Sequence, residues 1–234
     1  MSLNLEAGLQ LRLNFKQDLL LEYRCCTEVT QEFSNAGKLL GKKEHAWTTR
    51  VTQRVLRQEG EIAHILTVSE PLGEIPQEPI MGAQVARQVM YSQMNSLGNI
   101  LELAGGRDSF SYAFPEEAVK VGSTWERETM VVLPGMPMPA KSVNTFTIKG
   151  EERVGGYDCV RIDIVSSAAQ FEMTLPDGQQ KANVVSETSG TVYYSPLRGA
   201  LVRIEMSTRS IPKIEGFAFN TVSKMVQDLV KYEG

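Results

Sequence analysis

The sequence predicts a mainly β protein whose long antiparallel strands form a strongly curved sheet or two related half-barrels. In the segment Leu19–Phe33, odd positions are mostly apolar and even positions from Glu22 onward are mostly charged or polar. Such alternation is typical of a strand with one buried and one solvated face. Similar segments recur after short turns along the whole chain, as they do in antiparallel meanders. We therefore expect at most one or two short helices.

The first part of the chain predicts a meander of three strands. The turn Asn35-Ala36-Gly37 follows Leu19–Phe33, and alternation returns in Trp47–Val55. Glu59-Gly60 supplies the next turn, and Ile62–Val68 reads as the third strand. Glycine and asparagine at these turns favour tight reversals of the chain. Neighbouring strands of this part are therefore expected to pair in sequence order.

The segment Met81–Leu97 is ambiguous between helix and strand. Apolar residues such as Val85 and Val89 have helical spacing, which favours a helix. A comparison with the second part of the chain favours a strand at its end instead. We expect a short helix or loop over residues 81–88, followed by a strand that enters a turn at Gly98.

The second part of the chain predicts more strands of the same kind. The predicted strands are Trp125–Leu133, Thr145–Val154, Tyr157–Val165, Thr191–Ser195, Ala200–Thr208 and Phe217–Lys231. Gly155-Gly156 and the segment 196–199 supply hairpin turns. The last strand also has spacing that would suit a helix.

The two parts resemble each other in the order and spacing of their turns. Phe15–Leu19 resembles Val121–Trp125, and the turn at Glu59-Gly60 resembles that at Gly155-Gly156. We therefore predict a tandem repeat, with residues 4–110 and 111–232 as two halves of one compact unit. Residues 1–3 and 233–234 resemble cloning scars, so we expect that a natural signal or lipoprotein leader was removed.

Composition restricts the partners of this chain. It has 234 residues, a formal net charge of −4 and 42% hydrophobic residues, which is ordinary for a globular protein. No apolar run approaches the roughly 20 residues that cross a bilayer, so no transmembrane segment is expected. A mildly acidic chain argues against nucleic acid as a partner, because nucleic acid requires a clustered basic face.

No motif in the sequence predicts a catalytic residue, a metal site or a cofactor. The two histidines, His45 and His64, lie in strand patterns, and a metal pair would need them side by side with a carboxylate. No nucleophile elbow or metalloprotease motif is present. A hydrolase with a carboxylate or histidine site stays open as an alternative.

Charges on the first two predicted strands suggest a cross-strand ladder. Basic residues are frequent between Lys38 and Arg57, and the preceding strand carries Glu22, Glu28 and Glu32 on its polar face. A hairpin would place acids opposite bases. We favour this ladder over an anion-binding surface.

Three cysteines are present, Cys25, Cys26 and Cys159. An odd number leaves at least one free thiol, and three free thiols are equally consistent with the sequence. Cys26 and Cys159 both lie on the charged faces of their predicted strands. If one bridge forms, we expect it between these two, provided that their Cα atoms lie within about 7 Å.

The proline-rich loop from Leu133 to Pro139 is the candidate ligand site. It is apolar and carries Met136 and Met138 between two predicted strands. Methionine adapts to irregular apolar shapes, so one interpretation is that Leu133, Met136 and Met138 border a hydrophobic cavity. The alternative is a loop that closes the core at the open end of a curved sheet.

The succession Phe114-Pro115, Val119–Trp125, Gly156–Ile162 and Gly190–Tyr194 resembles a broad group of uncharacterised bacterial exported proteins. These are β-rich, are often lipoproteins, and have sheets like the half-barrels of periplasmic lipoprotein-carrier proteins. The resemblance implies an extracytoplasmic protein with a curved antiparallel sheet. It also implies a concave face that holds a hydrophobic guest, and it transfers no catalytic residue.

The sequence therefore favours a non-enzymatic extracytoplasmic protein that binds a lipid, a lipoprotein or another apolar envelope partner. Two alternatives stay open. One is an envelope-associated hydrolase, and the other is a structural or protein-interaction module without a small-molecule ligand.

Overall fold

The computed structural model describes residue 3 and residues 5–35, 38–74, 85–105, 112–131, 140–174, 181–214 and 217–234. These residues contain twelve strands and no helix. The strands are β1 (Leu20–Asn35), β2 (Lys38–Glu59), β3 (Ile62–Leu72), β4 (Gln88–Asn95), β5 (Ile100–Ala104), β6 (Thr124–Val131), β7 (Ala140–Val154), β8 (Tyr157–Ser166), β9 (Ala169–Thr174), β10 (Lys181–Ser195), β11 (Ala200–Ile214) and β12 (Phe217–Glu233).

All twelve strands belong to one antiparallel sheet, which confirms the predicted fold class. Its order is β5-β4-β3-β2-β1-β12-β11-β10-β8-β7-β6, and β9 pairs with β10 off this path. The first and last strands are central neighbours, joined from Leu20↔Glu233 to Asn35↔Phe217. The two predicted halves thus contribute to one continuous sheet. Within the ambiguous segment Met81–Leu97, the expected final strand is confirmed as β4, while residues 75–84 lie outside the described part.

The sheet is strongly curved, and its path of paired strands stays open. Leu97 follows β4 near one edge, and Trp125 lies in β6 at the other edge, yet both belong to the same hydrophobic cluster. Strands at opposite ends of an eleven-strand path approach one another in this way only if the sheet bends around a common centre. Among the described residues, no ladder joins β5 to β6, so the sheet is not closed into a barrel there.

We call the face that carries this cluster the inner face. Alternation places every second residue of a strand there, for example Phe146 of β7, Ile162 of β8, Val192 of β10 and Ile204 of β11. Two segments cover part of it, residues 5–14 and residues 112–119, which we call the covering segments. They join each other through the Leu9↔Val119 bridge. Both therefore lie within the curve of the sheet.

The covering segments bring distant parts of the chain together. Leu11 is fully buried, and Leu5 packs with it in the cluster built on β6 to β11. The Leu13 amide donates to the Ser96 carbonyl at 2.7 Å, and the Asn14 amide donates to the Gly199 carbonyl at 2.8 Å. The N-terminal covering segment therefore connects the β4–β5 turn with the β10–β11 turn.

The expected charge ladder between β1 and β2 forms only in part. Glu32 lies opposite Lys42, but Glu22 lies opposite Thr52 and Glu28 opposite Ala46. Arg50 instead forms an ion pair with Glu70 of β3 at 2.5 Å. The rest of the ladder does not form, because the register of β1 and β2 does not place the other acids opposite bases and because Glu70 of β3 supplies the carboxylate for Arg50.

Candidate ligand-binding face

Side chains of β6 hold the covering segment 112–119. The Trp125 indole nitrogen donates to the Ala113 carbonyl at 3.0 Å, and the Arg127 guanidinium donates to the Phe114 carbonyl at 3.0 Å. The Trp125 ring is 9% exposed and stacks on Phe146, with ring centroids 5.2 Å apart and planes 6° apart. The described contacts of Trp125 therefore place it in the packing of this end of the inner face.

Arg12 completes this arrangement from the other covering segment. Its guanidinium donates to the carbonyls of Pro115 at 3.0 Å and Glu116 at 2.8 Å. Together with Trp125 and Arg127, it satisfies four successive carbonyls of residues 113–116. Backbone carbonyls that lie outside a strand and are shielded from water need such donors. This cluster of donors fixes how the two covering segments lie against each other.

Tyr194 of β10 anchors Arg12 to the sheet. Its hydroxyl donates to the Arg12 carbonyl and accepts from the Arg12 amide at 3.2 Å. Burial raises the pKa of Tyr194 to about 12, so the hydroxyl keeps its proton at neutral pH and serves as a donor. Neither Arg12 nor Tyr194 was predicted from the sequence. No local pattern indicates a contact between residues separated by 182 positions.

Beyond these contacts, the inner face presents partly buried apolar side chains in the middle of the sheet. Trp47 of β2 lies opposite Thr27, Thr27 lies opposite Met225, and Met225 lies opposite Met206. Trp47, Met206 and Met225 are each only partly buried. This row, which we call the apolar row, is the part of the described inner face that best suits contact with an apolar partner.

A row of hydroxyl side chains lies next to the apolar row. Thr188 and Thr208 are joined at 3.0 Å, and Ser186 and Ser210 are also joined at 3.0 Å. The hydroxyl oxygen of Thr221, which lies opposite Ser210, is buried without a hydrogen-bond partner. The inner face is therefore not apolar throughout.

The predicted site residues Leu133, Met136 and Met138 lie outside the described residues. Their proposed place at the border of a cavity stays a prediction. The nearest described positions are Val131 at the end of β6 and Ala140 at the start of β7. Ala140 is buried.

The two histidines lie far apart and cannot act as a pair. His64 of β3 lies opposite Arg57 of β2, twelve residues along that strand from His45, or about 40 Å at 3.3 Å per residue. His64 is buried, and its Nδ1 is 2.6 Å from the Tyr91 hydroxyl oxygen, while its Nε2 is 3.5 Å from a Glu59 carboxylate oxygen. Within the described ranges, no group of three or more histidine, cysteine, aspartate or glutamate side chains is arranged to hold a metal.

The expected Cys26–Cys159 bridge is not formed, and all three cysteines are free thiols. Cys26 lies on β1 and Cys159 on β8, and the sheet order places β12, β11 and β10 between them. Cys159 is fully buried beneath Tyr193 and Val202, although Arg161 and Asp163 follow it on the same face of β8. This local cluster makes a predominantly charged face apolar at one position.

The environments of the thiols predict how they react. Burial raises the pKa of Cys159 to about 11 and also raises the pKa of Cys25, so both stay protonated and unreactive. Cys26 is exposed. We expect iodoacetamide at pH 8 to modify one cysteine in the folded protein and three in denaturant, as counted by mass spectrometry. If Cys26 and Cys159 both resist modification until a reductant is added, the predicted disulfide between them exists after all.

A separate groove of about 340 Å³ lies at the point along β10 where its paired neighbour changes from β8 to β9. Val165, Glu187 and Arg209 line it with several serine and threonine side chains. Most residues that line the groove are polar or charged, and Val165 lies on the outer face because its neighbour Ile164 lies on the inner one. It therefore does not correspond to the predicted apolar site. None of the described residues forms a helix that is long and apolar enough to span a bilayer.

No protein-family model and no curated protein matches this sequence. Among solved structures, a putative exported protein with a YmcC-like fold from Bacteroides fragilis is similar at 11% identity. The match covers 96% of this chain and 99% of that chain, with a TM-score of 0.34. A DUF1329 family protein from Desulfovibrio piger is similar at 12% identity over 90% of this chain and 85% of that one, with a TM-score of 0.14.

The attachment invasion locus protein Ail of Yersinia pestis is also similar, at 6% identity. That match covers 92% of this chain and 99% of Ail, with a TM-score of 0.26. These TM-scores are too low to establish a shared fold, so the likenesses leave the family of this chain open.

Proposed function

We propose that this chain is a non-enzymatic, extracytoplasmic binding protein whose inner face accommodates a lipid or the acylated part of an envelope partner. The observation that carries the proposal is the apolar row. Met206 and Met225 lie side by side on β11 and β12, Trp47 of β2 continues the row beyond Thr27 of β1, and all three apolar side chains are only partly buried. Burial of apolar area contributes roughly 25 cal/mol per Å², so covering these side chains would drive binding.

The side-chain types of the apolar row also support a binding role. Methionine adapts to flexible apolar ligands, and tryptophan supplies a large apolar surface. The extracytoplasmic location rests on the sequence resemblance to exported β-rich proteins.

Native mass spectrometry tests the proposal. Protein isolated from its own cell envelope should carry a ligand that organic extraction releases, and the stripped protein should gain mass when acyl lipids are added. We expect Trp47→Gln to weaken acyl-lipid binding about tenfold, because it removes a large apolar contact.

Val165→Ser is the matched control, because Val165 is 60% exposed on the outer face and should leave binding unchanged. A ligand-free mass that does not change on adding acyl lipids would contradict the proposal and favour a structural module. Equal weakening by both substitutions would place the ligand elsewhere.

A further inference from the structure

The inner face carries a band of uncharged polar side chains that the apolar row does not explain. One line of this band crosses four neighbouring strands, from Ser186 of β10 to Ser210 of β11, then to Thr221 of β12 and Gln31 of β1. A second line runs beside it through Thr188, Thr208 and Ser223. We call the two lines together the polar band.

Hydrogen bonding within the polar band is incomplete. On β10 and β11 the hydroxyls satisfy one another, Ser186 with Ser210 and Thr188 with Thr208, each at 3.0 Å. On β12 the Thr221 side chain is 9% exposed, and its hydroxyl oxygen has no partner. A buried polar group without a partner costs roughly 1–3 kcal/mol. Such a cost in the middle of a sheet calls for an explanation, and a missing ligand atom supplies one.

Gln31 adds a second donor at the same place. Its side chain is 7% exposed, and it lies directly opposite Thr221 in the β1–β12 ladder. Opposite residues on one face of an antiparallel pair have Cβ atoms about 5 Å apart. A hydroxyl and an amide at this separation can both donate to one carbonyl oxygen, which has two lone pairs.

The surroundings of the band restrict the chemistry of the missing acceptor. On one side lies the apolar row with Met206 and Met225, and on the other side Phe33 and Phe219 pack edge to face at 5.3 Å. The four strands from β10 to β1 contribute no charged residue to the two lines, so these strands offer a buried anion no counter-ion. The charged side chain at the end of the first line is Lys43 of β2, which is exposed. His45 ends the second line.

We infer that Thr221 and Gln31 form a subsite for the ester carbonyl of an acylated ligand whose chain lies on the apolar row. This inference rests on the proposed function and specifies its ligand class. An acyl ester places an uncharged acceptor between two apolar parts, which matches the order apolar row, polar band and aromatic pair.

Titration with two matched ligands tests the subsite. Monodecanoylglycerol has an ester carbonyl, and its decyl glyceryl ether analogue lacks one but is otherwise similar. We expect Thr221→Val to weaken binding of the ester about five- to tenfold, the value of one lost hydrogen bond to a buried partner. Binding of the ether should not change. The melting temperature of the ligand-free variant should stay the same or rise, because the unpaired hydroxyl is gone.

Thr30→Val is the control, since Thr30 precedes Gln31 on the opposite face of β1 and should affect neither ligand. Gln31→Met provides a second test with the same expected selectivity. If wild type binds both ligands but Thr221→Val weakens both or neither, the subsite is wrong and the proposed function stands. If wild type binds neither ligand, the proposed function fails and the subsite fails with it.

Discussion

Replacing Trp125 with alanine is expected to destabilise the protein by roughly 3–5 kcal/mol, the usual cost of removing a buried aromatic side chain. Two losses combine at this position. The ring leaves a cavity against Phe146, on which it stacks, and the Ala113 carbonyl loses its donor. Because the covering segment 112–119 depends on that donor, its packing on the inner face should loosen as well.

Urea denaturation followed by circular dichroism measures this effect. The control is Trp47→Ala, since Trp47 is the other tryptophan of the chain and is only partly buried. We expect Trp47→Ala to cost about 1 kcal/mol, since surface-like positions rarely cost more. Similar costs at the two positions would show that Trp125 does not hold the covering segment.

The fold class could be predicted because alternation is a local property of a strand. Val160, Ile162 and Ile164 share one face of β8 in the sequence and are all buried in the cluster of the inner face. Turn residues such as Gly98 and Gly199 mark the ends of hairpins in the same local way. Such signals require no knowledge of which strands become neighbours.

The covering segments could not be predicted because their contacts are long-range. Arg12 donates to carbonyls more than 100 positions away, and its own neighbours in sequence form no regular strand. Cys159 illustrates the same limit, because its burial depends on Val202 of β11. Likewise, β1 pairs with β12 although the two strands lie near opposite ends of the chain, and no periodicity in the sequence predicts this pairing.

The tandem repeat stays a prediction, and register shifts occur in both of its predicted halves. The β2–β3 register shifts after Val55, and the β7–β8 register shifts after Ile148. The β4–β5 and β10–β11 pairs also each contain a shift. The turn from Lys16 to Leu19 has the same closing hydrogen bond as the turn from Lys120 to Ser123. Aligning these two turns matches Leu19 with Ser123, whereas the sequence comparison matches Leu19 with Trp125.

Gly199→Ala is expected to destabilise the protein by roughly 2–5 kcal/mol, because backbone strain and a steric clash act together. Gly199 has φ of +61°, where a side chain costs about 1–2 kcal/mol. A Cβ atom there would also lie 2.4 Å from Asn14 Cβ and 2.7 Å from Asn14 N. Those atoms belong to the covering segment 5–14, whose backbone would have to move away.

Gly60→Ala is a matched control for this substitution. Gly60 also ends a hairpin with φ of +61°, but a methyl group on its Cα would meet nothing within 4 Å, so only the strain of about 1–2 kcal/mol applies. The difference between the two variants in urea denaturation therefore measures the docking of the N-terminal covering segment. Limited proteolysis should cut within residues 5–14 faster in Gly199→Ala than in Gly60→Ala. Equal destabilisation and equal cleavage would mean that the close approach of Asn14 to the β10–β11 turn contributes nothing to stability.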